Sequence, residues 1–279
     1  MAGLVMIMES QRLLVTLAPP EAKRLIGRGV SKLPQVRHAL SEGTVVIAPG
    51  TTNAYVYEEI TGERIDRGRF AIGIVTRRGT CVAKASARMP EIVLSRGLKT
   101  GQRIKDVLDA LGPQDVFIKG ANAVDPWGNA GVYLGSPTGG TMGMSIGTLL
   151  ARGVQVVVPV SLEKLVPFQI SEIIPEMGNR RFAAAMQMPV GMMQVPGKVV
   201  TEMEAARILF GCRCIPVGGG GVNGAEGGRC YVLEGDAGSL GEAWEYLRSI
   251  KGEPPVQVEE ESCYECKMSC SLNITPLSY

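Results

Sequence analysis

The spacing of apolar residues along this chain changes from helical to strand-like and back many times. Between residues 18 and 43, APPEAKRLIGRGVSKLPQVRHALSEG predicts a helix, a break and a second helix, with Pro20 in a first turn. TVVIA (44–48) is a short unbroken apolar run, the pattern of a strand buried on both faces of a parallel sheet. PGTTN then turns the chain into a helix, AYVYEEITG, closed by Gly62. GRFAIGIVTRRGTCVAKA (68–85) predicts two strands around a turn at Arg77, Arg78 and Gly79. TGQRIKDVLDALG (100–112) predicts an amphipathic helix with Ile104, Val107, Leu108 and Leu111 on one face. DVFIKG and AGVYLGS are strands, GMSIGTLLARG is a helix ending at Gly153, and VQVVVPV is a further strand.

Residues 166–197 break the alternation. They hold several prolines and methionines and predict an irregular crossing segment, its methionines filling core gaps. TEMEAARILFG then begins with a capping box, Thr201 and Glu204, and predicts a helix. CRCIPVGGGGVNGAEGGRCYVLEG predicts two strands around a Gly-rich loop, and SLGEAWEYLRSIKG a last helix. The expected fold is α/β: a mostly parallel, Rossmann-like sheet covered by helices, with a small C-terminal α+β unit. The expected division is 1–197 for the Rossmann-like domain, 198–255 for the small unit and 256–279 for a Cys-rich tail.

Composition narrows the function. The 279 residues are 45% hydrophobic and 20% charged, with a net charge of +2 and no basic block. Aromatics make up 5%, too few for base-stacking platforms, so nucleic acid is not an expected partner. The apolar runs are short and Gly-interrupted, so no membrane span is expected. The first residues lack a basic region and a cleavage site, and the expected compartment is the cytoplasm. Glycine is over-represented, at 36 residues, and many glycines fall at strand ends, where α/β sheets meet ligands.

Three Gly-rich turns could cradle an anion. In the first, Gly50, Thr51, Thr52 and Asn53 join a strand to a helix, whose first N–H groups and dipole favour negative charge. In the second, Thr138, Gly139, Gly140 and Thr141 repeat that layout, and both turns are expected at the carboxyl edge of one sheet. The third, 217–228, joins two strands. The plainer reading of each is a tight turn. Lys119, at a strand end, could bind phosphate or carboxylate as a point charge or be a surface lysine. Asn122 could orient a substrate hydroxyl. Asp125 could contact a ligand hydroxyl or cap its own turn. His38, the one histidine, falls on a predicted surface helix and is given no catalytic role.

PGTTNAY resembles the phosphate-binding turn of A-type ribose-5-phosphate isomerases, and GANAVDP resembles their acidic motif. SPTGGTMG is similar to a turn of glucosamine-6-phosphate deaminases. Residues 120–128 are also similar to turns of methylthioribose-phosphate isomerases and initiation-factor-2B-like proteins. The resemblance covers roughly residues 40–160. It implies a NagB/RpiA/CoA-transferase-like fold and a small phosphorylated or carboxylated metabolite as partner, with a divergent sugar-phosphate isomerase or transferase as the implied activity. The catalytic residues do not match. Lys119, Asn122 and Ala123 stand where the isomerases have Asp, Asp and Glu, and TMGMSIGTLLARG holds no acid to serve as base.

The cysteines suggest an alternative. Of seven, Cys263, Cys266 and Cys270 are spaced C-x2-C-x3-C, with Cys230, Cys212 or Cys214 available as a fourth ligand; Cys230 is the expected one. Such a set suits zinc or an iron–sulfur cluster and would make the chain a redox or regulatory protein. A third reading is a homo-oligomer whose loops are only turns.

Overall fold

The computed structural model describes residues 11–186, 188–262 and 270. The chain starts with β1 (Gln11–Leu17), α1 (Pro19–Ser31), α2 (Pro34–Glu42), β2 (Thr44–Ile47) and α3 (Thr51–Thr61). There follow β3 (Gly73–Thr76), β4 (Gly79–Val82), β5 (Ile92–Ser95), β6 (Leu98–Lys99) and a single helical turn, α4 (Ile104–Val107). Next come β7 (Val116–Ile118), β8 (Ala123–Val124), β9 (Ala130–Leu134), α5 (Gly140–Ala151) and β10 (Gln155–Pro159). The last third holds α6 (Ile170–Ile173), β11 (Gly191–Gln194), β12 (Lys198–Val200), α7 (Glu202–Phe210), β13 (Arg213–Gly220), β14 (Gly228–Gly235) and α8 (Ala237–Ser249).

The fold is mixed α/β. Its main sheet has six strands in the order β12-β10-β7-β2-β5-β6. The first four run parallel, whereas β5 and β6 are antiparallel additions. Every residue of Val45–Ile47 and of Val116–Ile118 is fully buried, which explains their unbroken apolar sequence. Two corrections to the expected layout follow from pairing. The small unit is a three-stranded sheet, β1-β14-β13, that recruits the N-terminal strand β1, while β12 serves as the edge of the main sheet. The boundary expected at 197–198 therefore does not separate the sheets. In addition, β9 belongs to a separate antiparallel sheet with β8 and β11, where Met192 is buried.

The stretch 100–112 forms one α-turn and a 3-10 turn rather than a full helix. Its apolar face is still the expected one, since Ile104, Val107, Leu108 and Leu111 are all buried. α1 packs on α3 and α7 at close range. A Cβ at Gly27 would sit 2.9 Å from the Tyr55 backbone, and one at Gly29 would sit 2.8 Å from Ala205. Only glycine permits both approaches.

A buried charge network locks that packing. Arg24 of α1, 4% exposed at its side chain, donates to Glu58 at 2.6 Å, to Glu59 at 3.0 Å and to Glu253 at 3.1 Å. Arg67 reaches Glu58 at 3.0 Å and Glu253 at 2.7 Å. Both guanidinium groups lie over the Tyr55 ring, 4.7 and 4.2 Å from its centre. Burial works against the Glu58 and Glu253 carboxylates, yet the arginine hydrogen bonds win and hold both below the ordinary carboxylate value. The network ties α1, α3, the loop after α3 and the segment after α8 to one another. Arg24→Met is expected to cost about 3–5 kcal/mol, because it leaves buried carboxylates short of a cation. A denaturant unfolding midpoint measures this, and an unchanged midpoint would assign the packing to apolar contacts alone.

Candidate functional site

The parallel strands β2, β7, β10 and β12 end on one edge, and the chain after each contributes to one polar cluster. After β2, Gly50 leads into α3. The first turn of α3 has no side-chain cap, so the N–H groups of Thr51, Thr52 and Asn53 face outward from its start. Thr51 is partly exposed and Thr52 is buried. Asn53 is fully buried. Its Nδ2 donates to the carbonyl of Ala48 at 2.7 Å, and its Oδ1 has no hydrogen-bond partner among the described residues. After β7 come Lys119 and Gly120. A Cβ at Gly120 would lie 3.5 Å from Asn53 Oδ1 and 3.7 Å from the carbonyl of Pro159. A bare backbone at that position thus leaves a small space bounded by the ends of β2, β7 and β10.

The chain after β10 supplies Ser161 and Lys164. Lys164 Nζ donates to the Ala121 carbonyl at 2.9 Å. The chain after β12 supplies Glu202, which is fully buried and accepts from Ser161 Oγ at 2.6 Å and from the Leu162 N–H at 2.9 Å. Burial raises the Glu202 carboxyl. Glu163, between Ser161 and Lys164 in sequence, is paired with Lys23 of α1 at 3.0 Å. The Lys119 side chain has no hydrogen bond or ion pair, and Lys164 no ion pair, among the described residues. Burial pushes the Lys119 amine down to about 8, and the neighbouring Lys164 ammonium pushes the same way. Lys164 is also pushed down to about 8, chiefly by burial. The cluster therefore holds two amines without a direct ion pair: Lys164 is bonded to a carbonyl and feels Glu163 and Glu202, whereas no neighbouring acid supports the charge of Lys119.

Other expected site residues are spent on the fold. Asp125 accepts from the backbone N–H groups of Trp127, Asn129 and Ile170 at 3.0, 2.9 and 3.0 Å, and from Asn129 Nδ2 at 2.9 Å. It is a turn cap that also anchors α6, which corrects its expected contact with a ligand. Asn122 Oδ1 accepts from the Tyr133 N–H at 3.0 Å and holds the edge of the β8–β9 pair. Thr138, Gly139, Gly140 and Thr141 follow β9, outside the main sheet, so the two Gly-rich turns do not share one sheet edge as expected. Ser136 and Thr138 bond each other at 3.1 Å, and among the described residues no hydrogen bond or ion pair links this turn to Asn53 or Lys119. The third Gly-rich turn does approach the cluster, because a Cβ at Gly227 would meet Glu163 at 3.7 Å. His38 is exposed on α2.

Cys230 lies on β14, opposite Thr16, whose Oγ1 is 3.2 Å from its sulfur. Cys212 and Cys214 are buried, and burial pushes the Cys214 thiol up to about 12. Cys263 and Cys266 lie outside the described residues, and Cys270 is exposed. Among the described residues no group of three metal-ligating side chains comes together, and no helix is long and apolar enough to cross a membrane.

No family model, curated protein or solved structure matches the chain. The geometry is therefore the main guide to function. Sequence reading found Asn53 and Lys119 but missed Lys164, Ser161 and Glu202. Lys164 and Ser161 had a usable signal, since they follow the apolar run VQVVVPV as Lys119 follows DVFI.

The unpartnered Lys119 amine should make stability depend on pH. Lys119 has a folded value below its unfolded one, so between about pH 8 and the ordinary lysine value near 10.4 the unfolded chain binds more protons. Wild-type stability should then rise with pH across that window relative to Lys119→Met, and the variant should be the more stable one at pH 7. Paired thermal melts from pH 7 to 10 read this out; parallel curves would show that Lys119 is solvated like any surface lysine.

Proposed function

We propose that the chain binds a small anionic metabolite, phosphorylated or carboxylated, at the carboxyl edge of its parallel strands. The observation that carries this reading is the unpartnered Lys119 amine, with Lys164 as its neighbour, on a strand end whose next residue, Gly120, lies against Asn53 in the uncapped first turn of α3. Three kinds of donor meet there: ammonium groups, backbone N–H groups and the α3 dipole. An anion would supply the counter-charge that the protein withholds. The buried acceptor Asn53 Oδ1 adds a preference for a ligand that also carries a hydroxyl or amine donor. The parallel core and the strand–turn–helix unit at Ile47–Thr51 support the NagB/RpiA/CoA-transferase-like, Rossmann-like reading of the fold. A divergent isomerase or transferase on that fold is the corresponding activity.

This reading predicts linked protonation. An anion bound between two amines that burial pushes down to about 8 will raise both, so binding at pH 8 should take up protons. Calorimetry with inorganic phosphate and sugar phosphates, run in buffers of different ionisation enthalpy, measures that uptake. Lys119→Met should weaken binding at least tenfold, which is about 1.4 kcal/mol. Binding without proton uptake, or unaffected by the substitution, would place the anion elsewhere.

A second reading is favoured by one observation. Residues 259–261 pair along β4: Lys84 N–H donates to the Glu259 carbonyl at 2.8 Å, Ala83 bridges Glu260 in antiparallel fashion, and Glu261 N–H donates to the Val82 carbonyl at 3.1 Å. Ion pairs Arg78–Glu260 and Lys84–Glu259 flank the contact. A Cβ at Gly68 would fall 1.8 Å from the Gln257 carbonyl, so glycine there is what lets this segment lie down. The next step of the antiparallel register sets Ser262 level with the buried Cys81. The C-x2-C-x3-C set starts one residue later in sequence. Cys81, rather than Cys230, is therefore the fourth ligand that this reading proposes for zinc or an iron–sulfur cluster. Protein purified without oxygen should carry metal by elemental analysis. Cys81→Ser should lose most of it and Cys230→Ser none; metal-free wild type would end this reading.

A further inference from the structure

The anion-binding reading leaves the identity of the reactive group open, and Lys119 stands apart from the other lysines. Among the described residues, Lys23, Lys84 and Lys164 are also only partly exposed. Each of these has an oxygen partner: Glu163, Glu259 and the Ala121 carbonyl. Lys119 alone of this set has none. Its backbone is held rigidly, with its N–H donating to the Val157 carbonyl at 3.0 Å directly after β7. A lysine kept for stability would be paired, and one kept for solubility would be exposed. A lysine that is withdrawn, unpaired and beside a second ammonium is in the setting that favours a neutral, nucleophilic amine.

We propose that Lys119 condenses with the carbonyl group of an anionic aldehyde or ketone metabolite to form an imine. The proposal rests on the anion-binding reading and narrows its ligand to a carbonyl compound. The neutral amine's lone pair attacks the carbonyl carbon, and a proton passes from nitrogen to the former carbonyl oxygen to give a carbinolamine. Loss of water then gives the imine. One amine and one carbonyl yield one imine and one water, with no oxidant or reductant. Lys164 has two roles by position. As an ammonium it disfavours the charged form of Lys119, and it is the proton donor available to the departing hydroxyl. The first turn of α3 holds the ligand's anionic group, and Asn53 Oδ1 is the unused acceptor beside the reacting turn. Burial supports the same assignment, since it brings the Lys119 amine down to about 8 and so makes a usable neutral fraction near neutrality.

The test is reductive trapping on the full chain. Pyruvate and pyridoxal 5′-phosphate serve as carboxylate- and phosphate-bearing probes, with cyanoborohydride supplying the hydride that fixes an imine. Peptide mapping should find the early adduct on Lys119 with at least one probe. Lys119→Arg, which keeps the charge, should abolish that adduct, and inorganic phosphate should compete with it. Lys164→Met should slow labelling at pH 7, because Lys119 regains its proton when the second ammonium is gone. Labelling spread evenly over exposed lysines, or equal in wild type and Lys119→Arg, would overturn the proposal. Phosphate binding measured on the same protein separates the two levels. Binding without a Lys119 adduct overturns the imine and leaves the anion site standing, whereas absence of both overturns both. Melting curves of the variants confirm that each is folded before it is counted.

Discussion

The buried Glu58 carboxylate is the constraint on which much of this molecule depends. It accepts from Arg24, Arg64 and Arg67, and these arginines reach on to Glu59 and Glu253. An isolated buried carboxylate would be too costly to keep ionised. With three guanidinium groups around it, it becomes a fixed centre to which α1, α3 and the end of the α8 segment must all conform. Replacing such a cluster by apolar residues need not destabilise a fold, so its value lies as much in geometry as in energy. Apolar packing between α1 and α3 would tolerate sliding. Arg24 and Arg67 over the Tyr55 ring, together with Gly27 against the Tyr55 backbone, would not. That matters for the candidate site, because α3 starts at it and Lys23, next to Arg24, is held there by Glu163.

The site repeats the contrast between paired and unpaired charge. On the network side every arginine and glutamate is matched. On the strand-end side, Glu163 is given to Lys23 and Glu202 to Ser161 and the Leu162 N–H, so neither acid is an ion-pair partner for Lys119 or Lys164. The acids are close enough to influence Lys164, but their oxygens are used elsewhere. The chain satisfies its buried charges fully in one place and, among the described residues, leaves the Lys119 amine without a side-chain partner in another, where it is held at a cost. Space gives a separate indication and ranks second here. A cleft of about 450 Å³ lies between the 257–259 segment and the loop of Asp66, Gly68 and Arg69. Its charged groups are already engaged, with Asp66 capping its own turn, Arg69 bonded to the Ala87 carbonyl and Glu259 paired with Lys84. Volume without an unsatisfied group gives a ligand little to recognise.

How much of this was legible in the sequence depended on the range of the signal. Local patterns carried well. The capping box of Thr201 and Glu204, the Gly62 helix stop, the buried runs TVVI and VFI, and the hairpin at Arg77–Gly79 all form as their composition implies. Strand partnership did not carry. Nothing in QRLLVTL says that it will pair with GRCYVLEG more than two hundred residues away, and nothing in AGVYL says that it will leave the main sheet for β8 and β11. Periodicity reports which face of a strand is buried, not which strand lies beside it. The same limit governed the site. Asp125 offered two roles, a ligand contact or a cap on its own turn, and only geometry decides between them by showing four donors already occupying it. Lys164 was passed over because its meaning comes from Ala121 and Lys119, both more than forty residues away.

The resemblance of short Gly/Thr turns to sugar-phosphate enzymes and the chemistry of the cluster meet at Lys119. At that position the isomerase motif has an acid and this chain has a base. On the fold proposed above, that substitution reverses the local charge, while the stretch that would carry the isomerases' general base, 141–153, holds no acid. The carboxylate count agrees with that reversal. Among the described residues the buried acid beside the site, Glu202, already accepts from Ser161 and the Leu162 N–H, so its oxygens are committed within the protein. The groups near the strand ends that the fold leaves least committed, among the described residues, are the Lys119 amine and the Asn53 Oδ1 acceptor, and the proposed capture of a carbonyl-bearing anion uses both.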